Sequence, residues 1–151
     1  GNVDKIGSHA IENCRSLTNI NIGGNVGLMG KDVFKGCKNL TSIKIDGSVG
    51  VMNKDAIRRC DSLKSIDING SVSAMDEDAI GECENLTSIK IGGNVGVMNR
   101  HAIENCRSLT SINIGGDVGI VKDAINACPN LTSIKKGSSL GCHDISTIII
   151  S

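Results

Sequence analysis

The sequence predicts an α/β repeat solenoid, a stack of short parallel strands joined through short helical or 3-10 turns. Three observations predict it. One 23-residue pattern recurs from Gly1, Gly24, Gly47, Gly70, Gly93 and Gly116, and a fixed period of that size is the signature of stacked supersecondary units. All seven cysteines, Cys14, Cys37, Cys60, Cys83, Cys106, Cys128 and Cys142, fall in one slot of that pattern. Phe34 is the only aromatic residue, so burial must come from aliphatic and sulfur-bearing side chains repeated in register rather than from large rings.

Each copy reads roughly G-[NSD]-V-x-x-[IMV]-x-x-[DH]-[AV]-[IF]-x-x-C-x-[SN]-L-[TK]-[NS]-I-x-[IK]-x. The opening glycine step is a corner, because glycine tolerates positive φ. V-x-x-[IM], as in Val26 to Met29, reads as a short extended piece or a bulged strand. Asp32, Asp55, Asp78 and Asp123 then suit the N-cap of a helical turn, and His9 and His101 fill the same slot as surface variants. In that turn Ala10, Ile11 and Cys14 would share one face. L-[TK]-[NS]-I-x-I is rich in β-branched residues and ends with a period of two. It predicts a strand with Ile20 and Ile22 facing inward. One copy cannot bury such a face alone, whereas parallel stacking about 4.8 Å apart builds a continuous core.

The sixth copy drops one residue, placed here between Val121 and Asp123. The tail keeps the strand spacing as Cys142, Ile145, Ile148 and Ile150, but Cys128 and Cys142 are 14 residues apart instead of 23. A shortened last repeat over 138–151 therefore adds a seventh strand, and residues 1–151 are expected to form one domain.

Composition narrows the function. Sixteen basic residues balance sixteen acidic ones, which argues against nucleic acid and against an electrostatic membrane anchor. No apolar run approaches the ~18 residues of a membrane span, so no membrane insertion is expected. No signal peptide is visible, and Gly1 is compatible with a processing or tag scar, so the compartment stays open on the residues alone.

The run Cys83, Leu86, Ile89, Ile91, Val95, Met98, Ala102, Ile103, Cys106, repeated along the whole chain, resembles the BspA-like leucine-rich repeats. Two departures stand out. Gly92 and Gly93 sit where that class has proline, and only Phe34 keeps its phenylalanine. The resemblance implies a leucine-rich-repeat right-handed superhelix, an extracellular or cell-surface location, and an adhesin-like, non-catalytic module for a protein or glycan ligand. A scaffold or self-association element without a ligand of its own is the alternative, since one repeat scaffold serves unrelated partners.

Seven cysteines invite a disulfide framework or a metal site. The odd count, the absence of C-x-x-C and the single shared slot favour a ladder of buried free thiols, each acting as a small hydrophobe. His143 and Asp144 beside Cys142 hint at nucleophilic chemistry, but Cys142 is in register with the ladder. No catalytic residue, metal or cofactor is expected.

Three surfaces remain. The outward strand position reads Asn21, Lys44, Asp67, Lys90, Asn113 and Lys135: a candidate binding face, or a solvated row in which Asp67 offsets its lysine neighbours. Leu28, Val51, Ala74, Val97 and Ile120 precede the inward Met or Val. They are either buried by a bulge or form an exposed apolar stripe suited to association. The C-terminal strand, with Ile148, Ile149 and Ile150, offers an uncharged edge at the end of the stack, hence a candidate route to a homo-oligomer.

Overall fold

The computed structural model of the chain describes residues 1–137 and the strand Ser146–Ile149. Its coils build three walls. The valine wall contains Val3–Ile6, Val26–Met29, Val49–Met52, Val72–Met75, Val95–Met98 and Val118–Ile120. The isoleucine wall contains Asn19–Ile22, Ser42–Ile45, Ser65–Ile68, Ser88–Ile91, Ser111–Ile114, Ser133–Lys136 and Ser146–Ile149. The short wall contains the two-residue strands Ile57–Arg58, Ile80–Gly81, Ile103–Glu104 and Ile125–Asn126. In the first two coils this wall is made of turns, yet its ladder continues, with Ile11 N donating to Val33 O at 3.1 Å and Phe34 N to Ala56 O at 2.9 Å.

Neighbouring coils pair in parallel and in register, slot on slot, as in Ile43 with Ile66 and Ile66 with Ile89. The identical pattern in every copy is what permits this, because a one-residue slip would turn each inward isoleucine outward. The core lies between the walls as stacked rows of Val, Met, Ala, Ile, Cys and Leu, most of them sealed from solvent. Phe34 fills the slot that other coils give to isoleucine and is fully buried.

None of the described residues is helical, so the architecture is an all-β solenoid and the expected helical or 3-10 turns do not form. The reason lies in the aspartate slot. His9, Asp32, Asp55, Asp78, His101 and Asp123 all adopt left-handed backbone, with φ between 55° and 61°. A second left-handed corner follows four residues later at Asn13, Gly36, Arg59, Glu82, Asn105 and Ala127. Asp, Asn and His are the non-glycine residues that tolerate this region best. These side chains thus fit a sharp corner rather than capping a helix, and the segment between two such corners has room only for a two-residue strand.

Corner polar residues form their own ladder. Asn25 N donates to Asn2 Oδ1 at 2.9 Å, Ser48 N to Asn25 Oδ1 at 2.8 Å, and Ser71 N to Ser48 Oγ at 2.9 Å. Asn94 N and Asp117 N continue it at 2.9 and 2.8 Å. The glycine just before each rung is sterically required: a Cβ on Gly47 would lie 2.7 Å from the carbonyl of Gly24.

Two registers differ from expectation. The tail strand Ser146–Ile149 is the seventh in the isoleucine wall, but it pairs antiparallel with Ser133–Lys136, Ile148 lying opposite Ile134 and Ile149 opposite Ser133. The nine-residue shortfall between Cys128 and Cys142 leaves too few residues for another full coil. The lost residue of the sixth copy falls inside the strand Val118–Ile120, not after Val121. Ile120 consequently pairs with Met98 rather than with Val97, and it packs against the core.

Candidate functional site

The isoleucine wall turns its inner isoleucines to the core and sets Asn21, Lys44, Asp67, Lys90, Asn113 and Lys135 side by side on its outer surface, each the register partner of the next. Five of the six are exposed and Asp67 is half-buried. Among the described residues Asp67 makes no ion pair with either flanking lysine, and its Oδ1 is shielded from solvent without a hydrogen-bond partner. The row therefore keeps its charges uncommitted. Lys90, Asn113 and Lys135, with Ile91, Ile114 and Lys136, line a cavity of about 310 Å³ at one end of the row. Lys136, which replaces an inner isoleucine, is half-buried there with Nζ 3.6 Å from Asp117. The adjacent threonines are less available. Thr41 Oγ1 donates to Thr18 O at 3.0 Å, Thr87 to Lys64 O at 3.0 Å, and Thr110 to Thr87 O at 3.2 Å.

On the valine wall, Val26 and Met29 are both buried although three residues apart, which breaks the simple alternation and leaves Leu28 half-buried, neither enclosed by a bulge nor fully exposed. Leu28, Val51, Ala74 and Val97 are half-buried neighbours forming one apolar row. Ile120 has left that row through the register change, and Val121 after it is 39 % exposed.

The cysteines form the expected internal ladder. Cys14 is half-buried, Cys37 to Cys128 are buried, and all six are free thiols. Their sulfurs donate to backbone carbonyls: Cys37 to Ile11 at 3.1 Å, Cys60 to Phe34 at 2.8 Å, Cys83 to Gly81 at 3.4 Å. Burial pushes the Cys37 thiol up to about 11. Hydrogen bonding to the neighbouring sulfur, together with burial, raises Cys83 and Cys106. Buried, neutral thiols of this kind are poor nucleophiles. Cys142, His143, Asp144 and Ile150 lie outside the described residues.

The short wall carries the densest polar chemistry. Arg58 reaches back to Asp55 at 3.1 Å and across to Glu82 at 2.7 Å, while Arg59 holds the other Glu82 oxygen at 2.8 Å. Those hydrogen bonds, from Arg59 first, lower the Glu82 carboxyl below its ordinary value. In the first coil His9 Nδ1 lies 2.9 Å from Glu12 and 3.5 Å from the buried Asp32. Farther along, Asp78, His101 and Glu104 bring one ligand-type atom each within 4.8 Å of the others. Glu104 is raised by its contact with the Asp78 carboxyl and then by burial, and Asn126 Nδ2 donates to Glu104 Oε1 at 3.2 Å. At the corner beyond, Lys38, Arg59, Asp61, Glu82, Glu84, Asn105 and Arg107 line a polar groove of about 470 Å³, in which Lys38 and Asp61 pair at 2.9 Å.

In the sequence His9 and His101 read as separate surface variants of the corner slot, and the Asp78–His101–Glu104 cluster does not emerge from that reading. The signal was present: Asp78 and His101 are one period apart, and His101 and Glu104 are three residues apart. Slots one period apart meet in a parallel stack. The corner ladder of Asn2, Asn25, Ser48, Ser71 and Asn94 was missed for the same reason.

A family model described as BspA type leucine rich repeat region matches residues 4–132 in six copies. No curated protein and no solved structure matches the chain. No helix among the described residues is long and apolar enough to cross a membrane.

Proposed function

The chain belongs to the BspA-type leucine-rich repeat family, whose solenoids are in general non-enzymatic, and from that premise we propose that it is a non-catalytic binding module of an adhesin-like, cell-surface protein. In this reading residues 1–151 act as one repeat domain, and the outer face of the isoleucine wall takes a protein or glycan ligand. The observation that carries the reading is the row Asn21, Lys44, Asp67, Lys90, Asn113, Lys135: polar, in register, exposed except for Asp67, and free of mutual ion pairs. Charges held on a rigid sheet lose little side-chain freedom on binding and select partners by complementarity. The cavity beside Lys90 and Lys135 favours a ligand carrying an acidic group.

The test is a binding array of glycans and extracellular-matrix proteins probed with the wild-type chain and with Lys44→Glu, Asp67→Lys and Lys90→Glu. Hits that vanish in the variants while circular dichroism is unchanged support the face. Hits indifferent to all three reversals remove it. A second reading, self-association of a scaffold element, is favoured by the apolar row Leu28, Val51, Ala74, Val97 and by the strand bearing Ile148 and Ile149 at the sheet edge. Light scattering across concentrations tests it, and a constant monomer mass would eliminate it.

A further inference from the structure

We propose that Asp78, His101 and Glu104 form a binding site for a divalent transition-metal ion of the zinc type. The corner aspartates differ in what compensates them. Each carries a carboxylate at a left-handed corner of the short wall, and each needs compensation. Asp55 receives it from Arg58, three residues on, at 3.1 Å. Asp32 has the His9 imidazole at 3.5 Å. Asp78 has Gly81 at the position of Arg58, so its own coil supplies no cation. Its Oδ1, like that of Asp32, is shielded from solvent and has no hydrogen-bond partner.

The next coil brings to it a second carboxylate, Glu104, together with the His101 imidazole, whose Nδ1 lies 4.0 Å from Glu104 Oε1. Glu104 is the register partner of Gly81, so the flank of Glu104 toward Asp78 carries no side chain. The two carboxyls and a ring nitrogen of His101 converge within 4.8 Å. Two carboxylates and one imidazole form an acceptor-rich set, and a single divalent cation would neutralise its charge. Nitrogen and oxygen donors of this kind suit zinc and its first-row neighbours.

The frame is rigid as well. Asp78 N donates to His101 O at 3.0 Å and His101 N to Asp123 O at 2.8 Å, so both ligand-bearing corners are fixed in the ladder. Asn126 holds Glu104 Oε1 from the coil beyond, as an outer residue orients a metal-binding carboxylate. Ligands about 2.0–2.1 Å from a tetrahedral ion stand about 3.3 Å apart, a closure that side-chain rotation supplies. Three protein ligands leave a fourth position for water. In the first coil the equivalent imidazole sits closer to its partner: His9 Nδ1 is 2.9 Å from Glu12 and 3.5 Å from Asp32, against 4.0 Å from His101 to Glu104.

Isothermal titration with Zn²⁺ and absorption with Co²⁺, on reduced protein freed of metal by chelation, test the site. The expected result is one equivalent of saturable binding and a rise in melting temperature with ion concentration, as binding to the folded state requires. His101→Asn, Asp78→Asn and Glu104→Gln should each weaken binding at least tenfold, Asn126→Ala by about tenfold, and His9→Asn not at all. Asparagine tolerates the left-handed corner, and circular dichroism without metal verifies the fold of each variant. Three results would overturn the proposal: no saturable binding of either ion, binding undiminished in His101→Asn and Asp78→Asn, or a cobalt spectrum with thiolate charge-transfer absorption, which would place the ion on cysteine.

Discussion

Alkylation of the folded protein should label its cysteines in an order set by their place in the stack. Thiolate is the reactive form. Moving Cys37 from its ordinary 9.0 to about 11 leaves about a hundredfold less thiolate at a given pH near neutrality. Its proton is also donated to Ile11 O at 3.1 Å, and the sulfur has no solvent contact. Hydrogen bonding to Cys83 instead lowers Cys60, but Cys60, Cys83 and Cys106 are equally sealed from solvent, so labelling of the inner rungs must pass through opening of the stack. The opened thiol regains ordinary acidity, so the rate falls only by the opening equilibrium. An opening free energy of about 4 kcal/mol slows it about a thousandfold. Repeat arrays open from their ends, because terminal coils have one neighbour instead of two. Cys14, half-buried in the first coil, should react first. Cys60, Cys83 and Cys106 should react slowest, by two to three orders of magnitude on that estimate. Pulsed alkylation followed by peptide mass spectrometry reads every site in one experiment. Cys83 and Cys14 reacting within threefold of each other, in protein with native circular dichroism, would refute the ladder argument.

Other substitutions test the frame. Phe34→Ala should cost about 3–5 kcal/mol in urea denaturation, and Phe34→Ile, the residue of the neighbouring coils, distinctly less; an alanine cost below about 1 kcal/mol would contradict full burial. Asn25→Ala removes the acceptor of the Ser48 N–H and should cost about 0.5–1.5 kcal/mol, whereas Asn25→Asp, which keeps an acceptor oxygen, should retain most of the stability. The lowered Glu82 carboxyl contributes stability above its unfolded value of about 4.3, lost as pH falls through its folded value. Glu82→Gln should thus lower the urea midpoint slightly at pH 7 and converge with wild type as the pH falls through the folded value; a difference that grows on acidification would reverse the assigned sign. Arg59→Gly relieves a left-handed corner but removes a Glu82 partner. In the background of Glu82→Gln it should stabilise by about 1 kcal/mol, as thermal melting would register.

The stacking was legible in the residues because the period fixes it: the cysteine slot, the inward Ile20 and Ile22 pair and the Val-to-Met strand all take the expected wall. The corners were not. Aspartate is as suitable for an N-cap as for a left-handed turn, and only the second corner four residues later decides between a helix and a two-residue strand. The letters of the sixth copy align best with the deletion after Val121, whereas backbone pairing puts Ile120 in the Met98 slot, where a large apolar side chain completes the core row. Strand direction in the tail was illegible for a related reason, since C-x-x-I-x-x-I-x-I reads the same whether the neighbour runs parallel or antiparallel. As for sites, the outward row is visible in one strand's alternation, but the Asp78 cluster exists only between coils.

Because most backbone hydrogen bonds of a coil reach one period backward or forward, the chain resembles a zipper whose teeth are whole turns. A pull applied at its ends would open the outermost ladder first, because a terminal coil is held by one neighbour and an interior coil by two. Each released turn of 23 residues would lengthen the chain by about 75–80 Å at the reach of an extended backbone. The same offset that makes the core continuous would therefore let the molecule yield in equal lengths, extending under tension while the remaining turns stay folded.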